Sequence, residues 1–201
     1  MHGLRTVAIC AAFMASTSIG AAAQGSGGVA PSHKAHAAKP AAATATPAAT
    51  PAATDPVKVN EFMSYDPAAK TVTLKVFSAH GSTNGGMNFN GGASGSQTIT
   101  IPVGWSVAMS FTNEDAIPHS AIILPNKMPF PAQPQVPAIA RAYTDDVTGG
   151  LMTGKSDQTT FKASPAGQYL LACGVPGHAP SGMWIHFDVS ADAKVPTYAT
   201  K

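Results

Sequence analysis

Near the end of the chain a thiol, an imidazole and a thioether recur at intervals of five residues, in Cys173-Gly-Val-Pro-Gly-His178-Ala-Pro-Ser-Gly-Met183. A second imidazole stands upstream, in Pro118-His119-Ser120. These donors suit copper in both its cupric and its cuprous state. Two imidazoles and one thiolate in a trigonal set, backed by a weak axial thioether, form a blue-copper electron-transfer site. One-electron cycling is fast only where the ligand geometry changes little between the two states, so ligands acceptable to both are what such a site needs. His119, Cys173, His178 and Met183 are therefore the candidate metal ligands and copper the candidate cofactor. No residue is assigned a catalytic role.

Three of these donors lie within one short segment, with Cys173 ending one strand, Met183 beginning the next and His178 in the loop between them. His119 must arrive from elsewhere, after the Asn113-Glu114-Asp115 turn that follows the strand through Phe111. The amide of Ser120, directly after His119, is placed to donate to the sulfur, and such contacts tune a metal as strongly as ligand identity does. An axial thioether, apolar walls and few nearby carboxylates would favour the cuprous state and a comparatively high potential. His178 is the expected electron port, rimmed by Val175, Pro176, Ala179 and Pro180. His80 reads as a loop residue, His186 as solvent-facing, and Glu114 and Asp115 as polar turn residues. Taken singly, His119 or Met183 would suit a core role, since methionine packs well.

The cysteine inventory sharpens this reading. Of two cysteines, Cys10 lies in an N-terminal apolar run from Val7 to Ala15 that follows Arg5 and precedes the small residues Ala21-Ala22-Ala23. That pattern is a secretory signal peptide over residues 1–23, and it is too broken by Ser16, Thr17, Ser18 and Gly20 to read as a membrane anchor. Cleavage would leave Cys173 as the lone thiol of an exported chain, where a ligand role is one of few uses. The expected location is the periplasm or the outer face of the cytoplasmic membrane; a retained signal would tether the domain to that membrane.

Residues 24–57 are mainly Ala, Pro, Thr, Gly and Ser, cannot bury a core, and read as a disordered linker in which His33 and His36 are solvated. From residue 58 to 201 the pattern is all-β. Lys70 to Phe77 and Gln97 to Ile101 alternate polar and apolar residues, and Trp105, Val107, Met109 and Phe111 share one face of the following strand. Strands resume at Gln168 to Cys173 and Gly182 to Val189. Between Leu124 and Phe161 lies a long irregular, Pro-rich loop with at most a short helical turn around Ala138 to Tyr143, and a loop of that length is usually functional.

From Lys58 onward nine Lys and Arg balance nine Asp and Glu, and charged residues are only 11% of the chain. The basic stripe of a nucleic-acid binder is missing. Copper enzymes with a second centre need more histidines, and oxidases typically flank the cysteine with histidine, whereas Cys173 lies between Ala172 and Gly174. A binuclear centre would need a second thiolate. A copper-delivery protein would present clustered Met or His, and here the methionines are scattered. An electron carrier, not an enzyme, is the reading that remains.

Phe89-Asn-Gly-Gly, Ile101-Pro-Val-Gly-Trp105-Ser-Val, Ile117-Pro-His119-Ser and Tyr169-Leu-Leu-Ala-Cys173-Gly-Val-Pro-Gly-His178-Ala-Pro-Ser-Gly-Met183-Trp resemble sulfocyanin, a blue-copper member of the cupredoxins. The resemblance spans roughly residues 58 to 190, and rusticyanin shares the Cys-x4-His-x4-Met spacing. It implies a cupredoxin-like Greek-key β-sandwich and one copper held by His119, Cys173, His178 and Met183. It also implies single-electron transfer in a respiratory chain, with redox proteins such as cytochromes or terminal oxidase components as partners. A monomer is expected. The cleavable-looking signal departs from archaeal sulfocyanins, which carry a clear N-terminal anchor.

Overall fold

The computed structural model describes residues 55–131 and 136–201. Residues 1–23, read above as a signal peptide, and nearly all of the expected linker, including His33 and His36, lie outside the described residues. Among the described residues ten strands form two five-stranded sheets. In chain order they are β1 Val57–Lys58, β2 Met63–Asp66, β3 Thr71–Ser78, β4 Gln97–Pro102, β5 Ser106–Asn113, β6 Ile122–Pro125, β7 Ser156–Lys162, β8 Gly167–Ala172, β9 Trp184–Ser190 and β10 Thr197–Thr200. One sheet runs β1-β2-β3-β5-β7 and the other β10-β4-β9-β8-β6. Strands β3 and β5 pair in parallel, as do β4 and β9, and the other neighbours are antiparallel.

Period-two patterning explains which residues meet between the sheets. Along β3, Val72, Leu74 and Val76 are buried while Thr71, Thr73 and Lys75 are exposed, and along β5 Val107, Met109 and Phe111 face the same way. From the other sheet Ile99, Ile101, Leu171, Ile185, Phe187 and Val189 complete one core. Burying each such side chain contributes about 1.5–3 kcal/mol before the chain entropy is charged against it. Cys173 and Met183 belong to this same core, so the two sulfur donors are held by the packing that holds the sheets together.

The two ends of the long loop belong to strands, which its composition does not suggest. Its last stretch is β7, antiparallel to β5, and its first is β6, antiparallel to β8. Near residues 138–144 there is a turn rather than a helix; Ala138 and Thr144 donate to Ile123 and Ala121, and Ala142 accepts from Ile123. Among the described residues no helix is long and apolar enough to cross a membrane. A second, smaller apolar cluster of Ile122, Leu124, Ala172 and Ala179, with Phe130, Val147 and Trp184 against it, sits on the outer face of β6 and β8.

Candidate metal centre

Strands β8 and β9 pair down to Ala172 and Trp184, and the next hydrogen bond joins the Cys173 amide to the Met183 carbonyl at 3.0 Å. Residues 173–183 are therefore the loop of a hairpin whose two ends are candidate ligands. Within it the Met183 amide donates to the His178 carbonyl and the Ser181 amide to the carbonyls of Gly177 and His178, which winds the loop tightly under the imidazole. Gly174 lets this happen: a Cβ there would collide with the Val147 side chain and come within 2.8 Å of its carbonyl oxygen.

Of the candidate ligands, His119, Cys173 and His178 converge, with one donor atom from each inside 4.8 Å of the others. His119 Nδ1 is 3.1 Å from His178 Nδ1, and Cys173 Sγ is 3.8 Å from His119 Nδ1 and 3.5 Å from His178 Nδ1. A point equidistant from three atoms so spaced lies about 2.0 Å from each, the length of a metal–imidazole bond and slightly under that of a metal–thiolate bond. The trigonal two-nitrogen, one-sulfur donor set is also the one that fits copper. Met183 is fully buried, and its main chain is bonded to both Cys173 and His178.

Burial disfavours the charged forms of two of these donors. Burial pushes the Cys173 thiol up, against the lowering influence of the Ser120 and Val175 amides. Burial also holds His178 below the usual imidazole range, with the charge of His119 acting in the same direction. A thiol so placed is ionised by a metal, with release of its proton. The Ser120 amide donates to Cys173 Sγ at 3.5 Å as expected, and its hydroxyl links Val147 (2.6 Å) to the Gly174 amide (3.0 Å).

Two expectations fail on packing, one at Ala179 and one at His186. Ala179 is not on the rim: the winding of residues 177–182 turns it inward against Ile122, Leu124 and Ala172, leaving it 6% exposed. Pro176 and Pro180 are exposed beside half-buried His178 and Val175. One carboxylate does reach the site: Asp115 Oδ2 lies 2.8 Å from His119 Nε2. Asp115 was expected only to shape a turn. The hydrogen bond from His119 is the main influence holding its carboxyl low, against burial. Its sequence signal, an acid four residues before a candidate ligand, is weak.

Asn113 was missed altogether as a contributor. Fully buried, it donates from Nδ2 to the carbonyls of Ile117 and Leu151, both at 2.8 Å, and accepts at Oδ1 from Ser78 Oγ and the Asp115 amide. Leu151 in turn exchanges both main-chain hydrogen bonds with His119. Elsewhere, His80 lies apart from the converging donors, pairing with Glu114 at 3.0 Å and packing on Phe62 and Phe77. His186 is half-buried rather than solvent-facing, edge-on to Trp184.

A family model described as the sulfocyanin (SoxE) domain matches residues 58–200. A sulfocyanin of Sulfolobus acidocaldarius is 34% identical over 139 residues, 66% of this chain and 70% of that protein. Among solved structures, reduced rusticyanin is similar at 24% identity over 60% of this chain and 85% of that one, with a TM-score of 0.45. A dithionite-reduced auracyanin from Roseiflexus castenholzii is similar at 22% identity, with coverage of 59% and 96% and a TM-score of 0.42. On the family match and the sulfocyanin relative, the chain belongs to the sulfocyanin family of blue copper proteins, electron carriers rather than enzymes, whose cofactor is one copper ion.

Proposed function

We propose that His119, Cys173, His178 and Met183 hold the copper, and that the exported protein passes single electrons between redox partners of a respiratory chain. The triangle of 3.1, 3.5 and 3.8 Å formed by the two Nδ1 atoms and Sγ carries this reading. Copper bound there supplies one reversible electron through its cupric–cuprous couple. The chain's own contribution is rigidity. Cys173 and Met183 are fixed by the sheet ladder and the core and His119 by the Leu151 bridge, and all three are almost wholly buried. With Nδ1 of His178 facing inward, Nε2 lies on the far edge of a half-buried ring beside exposed Pro176 and Pro180. That apolar rim suits a small, short-lived contact with a partner such as a cytochrome or a terminal oxidase component. The pattern of residues 1–23 supports export to the periplasm or the outer face of the cytoplasmic membrane, and a monomer is the expected state.

The test is the visible and electron-paramagnetic-resonance spectrum after addition of Cu(II), for the protein and for Cys173→Ser. An intense thiolate-to-copper band with narrow copper hyperfine splitting, lost in the variant, is expected. A weak cupric spectrum indifferent to Cys173 would overturn the ligand assignment.

A further inference from the structure

His119 is the most enclosed of the converging donors, with no solvent exposure at all. A buried imidazole must place both ring nitrogens, and here they go to different partners. Nδ1 faces Cys173 and His178, while Nε2 is 2.8 Å from the carboxylate of Asp115, whose side chain is 24% exposed and reaches in from the surface. A carboxylate only accepts hydrogen bonds, so the nitrogen beside it is the protonated one. The lone pair is then on Nδ1, the atom turned toward the other two donors.

The placement of Asp115 is itself determined. Its amide donates to Asn113 Oδ1 at 2.8 Å, and that asparagine is buried and bonded on four sides. Asn113 and His119 share the Leu151 carbonyl as acceptor. A Cβ on Gly86 would come within 3.2 Å of Asp115 Oδ2, so the loop after β3 closes on the carboxylate from the other side. The side chain and the ring it meets are therefore held in one framework, rather than meeting by chance on a mobile turn.

We propose that Asp115 is a positioning and tuning residue of the copper centre: it orients His119 with Nδ1 inward and, through its negative charge, makes that imidazole a stronger donor to the cupric state than to the cuprous one. The proposal rests on the assignment of His119 as a ligand. Hydrogen-bonded carboxylates behind a metal-bound histidine fix its tautomer and raise its basicity, and their loss typically costs 10–100-fold in metal affinity. Because the cupric ion carries the larger charge, it loses more from removal of the anion. Asp115 thus opposes the high potential favoured by a thioether and apolar walls.

Three measurements test it. Nitrogen-15 chemical shifts of the metal-free protein should place the His119 proton on Nε2. Asp115→Asn, which keeps the shape and an acceptor oxygen, should keep the intense band yet raise the reduction potential, by about 59 mV for each tenfold fall in the ratio of cupric to cuprous affinity. Asp115→Ala should lower cupric affinity about 10–100-fold. Glu114→Gln, one residue away and directed at His80, is the control and should leave the potential unchanged. A His119 proton on Nδ1, an Asp115→Asn potential equal to that of the parent, or an equal rise in Glu114→Gln would overturn the proposal. With the Cys173-dependent band present in the parent, such a failure falls on Asp115 alone. Absence of that band would overturn the ligand assignment and this inference together.

Discussion

The two histidines of the centre are held in opposite ways. His119 is wholly buried and tied across the fold: its main chain to Leu151 and its ring to Asp115, both of which Asn113 joins to Ser78. His178 is half-buried, and its main-chain bonds run to Val175, Ser181 and Met183, all inside its own loop. Long-range ties steady that loop on either side of His178 rather than at it: the Gly174 amide to Ser120 Oγ at 3.0 Å, Asn84 Nδ2 to the Ser181 carbonyl at 2.9 Å and the Ser94 amide to the Gly182 carbonyl at 2.8 Å. Tertiary structure therefore sets one imidazole and local winding sets the other. A centre built this way keeps a rigid back wall and exposes only the edge that has to meet a partner.

On that contrast, unfolding of the metal-free protein should rank variants by which histidine they serve. Asn113→Ala should cost the most, about 3 kcal/mol or more, because it strands the buried Ser78 hydroxyl, worth about 1–3 kcal/mol when left unpaired, and removes the hydrogen bonds to Ile117, Leu151 and Asp115, each worth about 0.5–1.5 kcal/mol. Chemical denaturation would show the loss as a lower midpoint. Gly150→Ala comes next at about 2 kcal/mol. Gly150 has φ +74°, and a Cβ would lie 2.9 Å from both the His119 amide and the Val175 side chain. Smallest is His178→Ala, expected within about 1 kcal/mol of the parent because its ring supports no tertiary hydrogen bond outside the donor cluster. A His178→Ala loss as large as that of Asn113→Ala would erase the distinction.

Much of this was legible in the residues. Strands β3, β4, β5, β8 and β9 announce themselves by alternation or by an apolar run, and three candidate ligands sit at fixed spacing in one hairpin loop. What escaped did so for physical reasons. β1, β2, β6 and β10 have two to four residues each, too few for a period to show. β7, Ser-Asp-Gln-Thr-Thr-Phe-Lys, is an edge strand with only Phe161 buried, so its polarity resembles a loop. Ala179 was misplaced because spacing gives membership of a loop but not the direction its winding turns a side chain. Asp115 and Asn113 matter through partners 4 and 38 residues away, and a single chain written in order carries no mark of such contacts.

The parallel pairing of β3 with β5 and of β4 with β9 bears on the order in which the molecule assembles. Such pairings join segments far apart in sequence and form late, because loop closure is slow to be rewarded. Strand β9 begins right after Met183, and His119 lies just beyond β5. Cys173, His178 and Met183 can approach one another in an isolated hairpin, but His119 is 54 residues from Cys173 and joins them only when both sheets have docked. The blue chromophore is therefore a reporter of completed folding: in refolding with copper present, its absorbance should appear no sooner than the signal from burial of Trp105.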